Sequence, residues 1–120
     1  MKIFVLISSI IELLAGSILL FVPQLVPDLA DAGIQFQSMA RMYGAAAIAL
    51  GIFALHVWKN MGIPAMRKAF LQSYLLFNAG VAISFYMCHN AGIFGDLGGT
   101  ILHTLLAAIT AFFYFRNSTT

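Results

Sequence analysis

An acidic residue inside the first long apolar stretch of the chain is the side chain whose position says most about chemistry. Glu12 lies within residues 3–22, which are otherwise apolar or small. About 20 apolar residues are enough for a helix to cross a lipid bilayer. A carboxyl group in such a helix is costly, so it normally turns toward other helices and finds a partner there. Glu12 is therefore a candidate functional residue.

Arg41 is the natural partner of Glu12 if the second helix begins early enough. A start at Ile34 would place Arg41 roughly 10 Å along that helix, near the depth of Glu12 at roughly 14 Å. A start at Met42 would leave the two residues too far apart in depth. The pair could relay protons or orient a ligand. Alternatively, it is a structural ion pair or a hydrogen-bonded acid that fixes how the first two helices pack.

A second group of residues carries side chains that bind metals. Cys88 and His89 end the third apolar stretch, and His103 lies early in the fourth. Thiolate and imidazole groups are metal ligands, and two histidines on different helices can ligate a haem. The spacing of these residues matches no known metal or haem motif. They form either a metal or haem site, with Asp96 in the loop between them, or an interfacial group hydrogen-bonded to loop carbonyls and water.

Two uncharged polar residues lie near the middle of the third and fourth apolar stretches. Asn78 needs hydrogen bonds inside the protein, and Glu12 or Thr110 could supply them. Together with Arg41 and His103, these residues would form a thin polar track. The track could orient the single polar head of a hydrophobic ligand such as a quinone, a sterol or a lipid. It could equally consist of hydrogen bonds that only hold helices together.

Composition indicates which elements must position these groups. Of the 120 residues, 62% are hydrophobic and only 8% are charged, whereas soluble domains carry roughly 25% charged residues. The mean hydropathy of +0.96 agrees with this imbalance. The composition excludes a water-soluble enzyme, a nucleic-acid-binding module and a disordered chain, and it predicts an integral membrane protein in a lipid bilayer.

Four apolar stretches are long enough to span a membrane. They predict transmembrane helices at about residues 3–22, 36–58, 69–88 and 97–115. Proline and glycine residues separate them, as Pro23 and Pro64 do. Because the connections are short, we expect a single domain over residues 1–120. The predicted fold is all-α: an antiparallel, up-down bundle of four transmembrane helices.

The charged residues predict how this bundle is oriented. Five basic residues fall on one side of the four-span arrangement: Lys2, Lys59, Arg67, Lys68 and Arg116. The opposite side holds three aspartates: Asp28, Asp31 and Asp96. Lysine and arginine are retained on the cytoplasmic side of a membrane. We therefore expect both termini to be cytoplasmic, in a bacterial inner (plasma) membrane.

A stripe of small residues runs along the second predicted helix. Its members recur at helical spacing: Ala40, Gly44, Ala47, Gly51 and Ala54. Small residues let two helix backbones approach closely in lipid. The stripe predicts close packing against another helix of the bundle, with the seam of a homo-oligomer as the alternative.

Two stretches resemble the DoxX-like superfamily of small four-helix membrane proteins, especially its short members of undefined function. They are residues 16–23 (GSILLFVP) and residues 40–44 (ARMYG), the latter leading into an Ala-rich and Gly-containing helix. The resemblance covers nearly the whole chain in the order of its spans. It implies a four-helix bundle with cytoplasmic termini. Members of that family include accessory subunits of redox enzymes and chaperones or cargo receptors for membrane proteins.

The sequence contains no complete set of catalytic residues, which favours a protein that is not an enzyme. The leading hypothesis is a multi-pass membrane protein that acts by binding, as an accessory subunit of a larger membrane complex or as a binder of a hydrophobic small molecule. One alternative is a redox-associated subunit that holds haem, metal or quinone near His89, His103 and Cys88. Another is proton-coupled transport through Glu12.

Overall fold

The structure, a computed structural model, describes residues 1–93 and 97–118. This part of the chain is helical and contains no strand, so the prediction of an all-α protein is confirmed. The elements are α1 (Lys2–Phe21), a 3-10 turn (Pro23–Leu25), the short α2 (Pro27–Ala30), α3 (Ile34–Lys59), α4 (Pro64–Asn90) and α5 (Gly98–Ser118).

Within the described residues, four helices are long and apolar enough to cross a membrane. They are α1, α3, α4 and the part of α5 from Gly98 to Arg116. These helices coincide with the four apolar stretches in the sequence, so the prediction of four membrane-spanning candidates is confirmed. Such helices satisfy their own backbone hydrogen bonds, as a lipid environment requires.

Proline and glycine explain where several helices begin and end. α1 ends at Phe21, two residues before Pro23, which opens the 3-10 turn. Pro64 occupies the first turn of α4, where its missing N–H leaves no hydrogen bond unmade. Gly92, which follows α4, has a φ of +72°, a left-handed conformation that ends helices and that glycine adopts without steric cost. α3 and α4 are also longer than the helices predicted from hydropathy, which covered residues 36–58 and 69–88.

The helices form two compact units, one covering Met1–Gly62 and the other beginning at Ile63. We call them the first and second hairpins. In the first hairpin, α1 and α3 run antiparallel, because Leu20 near the end of α1 lies against Gly44, whereas Ser9 near its start bonds to Gly51. The 3-10 turn and α2 connect these helices, and Pro23 and Leu29 are buried there.

The small-residue stripe brings α1 and α3 into backbone contact. A Cβ atom added at Gly44 would lie 2.6 Å from the backbone nitrogen of Leu20 and 2.7 Å from the carbonyl oxygen of Gly16. Ala47 and Ala54 on the same face are buried as well. The glycines of the stripe therefore pack against α1 of the same chain, and no larger residue fits at Gly44.

The second hairpin pairs α4 with α5, also antiparallel. The Gln72 side chain near the start of α4 donates a hydrogen bond to the Tyr114 hydroxyl near the end of α5, at 3.3 Å. Phe85, farther along α4, lies against Gly99 at the start of α5, where an added Cβ would be 3.0 Å from its ring. This register places the middle of α4 opposite the first turns of α5.

Candidate functional site

The centre of the second hairpin holds a hydrogen-bonded pair of polar side chains. Asn78 on α4 and His103 on α5 are joined by a 2.7 Å hydrogen bond between Oδ1 of the asparagine and Nδ1 of the histidine. The amide Nδ2 of Asn78 donates a second hydrogen bond, 2.9 Å long, to the carbonyl oxygen of Tyr74 one turn earlier. Asn78 is fully buried, so both of these bonds satisfy a polar side chain that has no access to solvent.

Aromatic rings from α4 surround the histidine of this pair. Phe85 stacks on the His103 ring with 5.9 Å between the centroids and 11° between the planes. Phe77 meets it edge-on, at 6.5 Å and 76°. His103 keeps 8% of its surface exposed, whereas Asn78 and Tyr74 keep none. His103 is therefore the member of this polar group that reaches the molecular surface.

Thr110 does not join the Asn78–His103 pair. It is fully buried on α5, and its hydroxyl donates to the carbonyl oxygen of Leu106 in its own helix at 2.6 Å. The sequence suggested Glu12 or Thr110 as the hydrogen-bond partner of Asn78. The Thr110 hydroxyl instead bonds within its own helix. Its hydroxyl is satisfied locally, as is common for threonine within a helix.

Glu12 belongs to the first hairpin and lies on a buried polar face of α1. It is 2% exposed, and Ser8 and Ser9 beside it are fully buried. Ser9 donates a 2.9 Å hydrogen bond to the carbonyl oxygen of Gly51 and so ties α1 to α3. The hydroxyl oxygen of Ser8 has no hydrogen-bond partner within residues 1–93 and 97–118. The buried polar residues of α1 therefore share one face of a helix that is otherwise apolar.

Arg41 takes up a different environment from Glu12. α3 begins at Ile34, the earlier of the two starts considered, so Arg41 follows about two turns later. It is exposed, whereas Glu12 is buried, and Arg41 makes no ion pair within the described part of the chain. The structure thus places both residues in the first hairpin, Glu12 in its interior and Arg41 at its surface.

The residues with metal-binding side chains are spread along α4 and α5. Cys88 and His89 are half-buried near the end of α4, and His103 is engaged with Asn78. No group of three or more His, Cys, Asp or Glu side chains within residues 1–93 and 97–118 is arranged to hold a metal ion. Asp96, which the sequence placed between these residues, lies outside the described residues.

The third histidine of the chain, His56, contacts the backbone of its own helix. Nδ1 of His56 lies 3.0 Å from the carbonyl oxygen of Ile52 in the same helix, and the side chain is exposed near the end of α3. This contrast with His103 makes His56 a useful control residue, because it is a histidine outside the buried polar group.

The sequence singles out Asn78 and His103 but not their hydrogen bond to each other, and it gives no sign that Phe77 belongs to the site. The signal available was helical spacing, since Asn78 and Phe85 lie on one face of α4 at a separation of seven residues. That spacing does not reveal which residue of α5 lies opposite. The register between α4 and α5 decides it, and packing sets the register.

Comparison with known proteins identifies no relative of this chain. No family model matches the chain, and neither the curated proteins nor the solved structures contain a match. The chain is thus defined by its own features: four apolar helices of spanning length, which indicate an integral membrane protein, and a polar pair buried between two of them.

Proposed function

We propose that this chain is a multi-pass membrane protein that acts by binding a hydrophobic ligand, whose polar head meets the Asn78–His103 pair. The observation that carries the proposal is the 2.7 Å hydrogen bond between these two side chains inside a hairpin of two apolar helices. Ligand sites for small molecules are mostly apolar and contain a few placed polar groups. The pair, with Phe77 and Phe85 around it, has that composition.

The alternative for the same residues is that they only hold α4 and α5 together. A hydrogen bond between membrane helices contributes about 0.6 kcal/mol on average, so a purely structural pair has a small effect. Two details favour binding. Phe85 stacks on His103 and Phe77 meets it edge-on, and His103 keeps a small exposed surface whereas Asn78 has none.

The experiment that tests this proposal analyses what the purified protein carries. The parent protein, His103→Phe and His56→Gln would be purified in a mild detergent, extracted with organic solvent and analysed by mass spectrometry. We expect one hydrophobic compound in a fixed molar ratio to the parent and to His56→Gln, and its loss from His103→Phe. Far-ultraviolet circular dichroism of each variant checks that the helices are intact.

Two results would contradict the ligand-binding proposal. One is the absence of any compound above the level of bulk lipid in the parent protein. The other is equal retention by the parent and by a folded His103→Phe variant. A protein that co-purifies in fixed stoichiometry instead of a small molecule would favour the accessory-subunit form of binding.

A redox-associated subunit is the second candidate, and it is favoured by how His103 is held. Histidines that ligate metals usually donate their other ring N–H to a carbonyl or carboxylate oxygen, and Oδ1 of Asn78 is in that position. His89 and Cys88 are the further ligands that the sequence suggested, although within the described residues they are not grouped with His103 around a common metal position. An absorption spectrum and a metal determination test this candidate. A haem band or stoichiometric metal that disappears in His103→Phe would support it, and a metal-free protein without visible absorption would contradict it.

We also propose that the four helices form an up-down bundle of the DoxX-like type, with both termini in the cytoplasm of a bacterium. Basic residues support this orientation, because Lys2 begins α1, Lys59 ends α3 and Arg67 lies in the first turn of α4. The ammonium group of Lys2 lies 5.6 Å from the centre of the Trp58 ring, so the start of α1 and the end of α3 meet at one end of the first hairpin. Lysine and tryptophan are both favoured at membrane surfaces.

A further inference from the structure

Two lysines and the single tryptophan of the chain lie at one end of the first hairpin. The ammonium group of Lys2, at the start of α1, is 5.6 Å from the centre of the Trp58 ring, within the range of a cation–π contact. Lys59 directly follows Trp58 and is the last residue of α3. Both lysines are exposed and the indole is half-buried. We call Lys2, Trp58 and Lys59 the basic end of the first hairpin.

The acidic residues of the chain lie away from this basic end. Glu12 is ten positions after Lys2 and buried, so it lies roughly 15 Å farther along α1. Asp28 and Asp31 belong to the connection between α1 and α3, at the opposite end of the hairpin. Asp96 follows α4 in the sequence and lies outside the described residues. The positive charge of the basic end is therefore not balanced within Met1–Gly62.

The dipole of α1 does not explain the position of Lys2. A helix dipole favours acidic residues in the first turn and basic residues in the last. Lys2 is the first residue of α1, and the first turn of that helix contains no acidic residue. The Lys2 side chain instead contacts the Trp58 ring. Since tryptophan and lysine are both favoured at the level of the lipid headgroups, we expect the basic end to meet the phosphate groups of the membrane.

Apolar surface continues from Lys2 along α1. Ile3 is 74% exposed, and Ile7, one turn later, is 49% exposed. In a membrane such side chains contact the acyl chains of lipids, whereas a lysine keeps its ammonium group at the membrane surface. A molecule that contacts both the lysine and the isoleucines therefore carries a negative charge next to an apolar chain.

We infer that the basic end of the first hairpin binds anionic phospholipids, with the phosphate group at the two lysines and an acyl chain along Ile3 and Ile7. This site is separate from the polar pair of the second hairpin and takes a ligand of another class. Phosphatidylcholine carries the same phosphate, but its choline cation offsets the negative charge. Phosphatidylglycerol has no such cation, so it is the preferred lipid.

Trp58 reports on the lipids beside it, because it is the single tryptophan of the chain. The full chain would be placed in vesicles of equal parts phosphatidylglycerol and phosphatidylcholine, with bromine on the acyl chains of one lipid or of the other. Bromine quenches tryptophan fluorescence only at short range. We expect the quenching to correspond to an affinity for phosphatidylglycerol about fivefold above that for phosphatidylcholine, the effect of one basic residue at a membrane surface.

Variants assign this preference to the two lysines. When Lys2→Gln and Lys59→Gln are combined, the two brominated lipids should quench equally, whereas Lys2→Arg combined with Lys59→Arg should retain the preference. Arg41→Gln is the matched control, because it removes an exposed basic residue far from the end of α3, and it should leave the preference unchanged. Each comparison is made between two lipids within one variant, so a change in the intrinsic fluorescence of Trp58 cancels.

Two results would overturn the lipid inference. One is equal quenching by the two lipids in the parent protein. The other is a preference that persists when both lysines are replaced by glutamine and circular dichroism shows intact helices. Neither result bears on the ligand of the Asn78–His103 pair, which is tested separately by the compound that co-purifies with the protein.

Discussion

Oδ1 of Asn78 and Nδ1 of His103 lie 2.7 Å apart, although the two residues are 25 positions apart in the chain and belong to different membrane-spanning helices. Their hydrogen bond is anchored on one side by the backbone of α4 through Tyr74. On the other side Phe85 stacks on the histidine ring. A side chain held from several directions keeps a defined orientation, which is what a binding site requires.

Breaking this hydrogen bond should destabilise the protein measurably. In Asn78→Leu, the Nδ1–H of His103 loses its acceptor in a buried position, which costs about 1–3 kcal/mol. In Asn78→Leu with His103→Phe, both polar partners are gone and we expect much of that loss to be recovered. Unfolding by sodium dodecyl sulfate, followed by circular dichroism, measures the free energies. Strict additivity of the two substitutions would show that the bond contributes nothing.

The glycine contact between α1 and α3 predicts a sharp difference between two Gly→Ala substitutions. Gly44→Ala places a Cβ atom 2.6 Å from a backbone nitrogen that cannot rotate away, and overpacking of this kind costs about 1–3 kcal/mol. Gly80→Ala is the matched control, since nothing lies within 4 Å of its added Cβ. It should be neutral or stabilising by up to about 1 kcal/mol. Equal thermal stability of the two variants would contradict the close approach of α1 and α3.

Two neighbouring serines on α1 should respond in opposite ways to the same substitution. Ser9→Ala removes a hydrogen bond to Gly51, and bonds of this kind between membrane helices contribute about 0.6 kcal/mol on average and up to about 1.7. Ser8→Ala removes a buried hydroxyl that has no hydrogen-bond partner in the described part of the chain. We expect it to be neutral or stabilising. Measured by unfolding in detergent, a larger loss for Ser8→Ala than for Ser9→Ala would refute this assignment.

Glu12 and Arg41 should behave as independent residues. Arg41 is exposed whereas Glu12 is buried, so Arg41→Gln should change stability by less than about 0.5 kcal/mol. Combined with Glu12→Gln, the two effects should add within about 0.5 kcal/mol. A double-mutant cycle measures the sum. A coupling energy above about 1 kcal/mol would show that the pair does form in the membrane.

The orientation of the protein can be tested with single cysteines in a Cys88→Ser background. Gln35 and Asn60 are exposed and lie at opposite ends of α3. If Asn60 faces the cytoplasm, Asn60→Cys in intact cells should resist a membrane-impermeant maleimide until the cells are lysed. Gln35→Cys should react without lysis. The reverse labelling pattern would invert the topology.

The helices could be predicted from the sequence because their signal is local. Long apolar stretches, closed by prolines such as Pro23 and Pro64, define four helices whatever the rest of the chain does. The close packing at Gly44 could also be predicted from the sequence, because small residues at helical spacing indicate that another helix packs closely against them. Neither pattern, however, identifies the opposing helix.

The site was predictable only in its residue types. Asn78 and His103 stand out as polar residues in apolar helices, which is a composition signal. Their pairing depends on the register of α4 against α5, which bulky contacts such as Phe85 against Gly99 help to set. Likewise, whether Glu12 meets Arg41 depends on the rotation of α3 about its axis. Polar residues in an apolar helix can be located from sequence, but their partners follow from three-dimensional packing.

If the Asn78–His103 pair holds a bound ligand, native mass spectrometry of the intact protein detects it directly. Released from detergent micelles, the parent and His56→Gln should both carry an adduct of one defined mass. Asn78→Leu, in which the histidine loses its anchor, should carry less of that adduct, and His103→Phe should carry none. An adduct of unchanged mass and occupancy on all four proteins would contradict the claim.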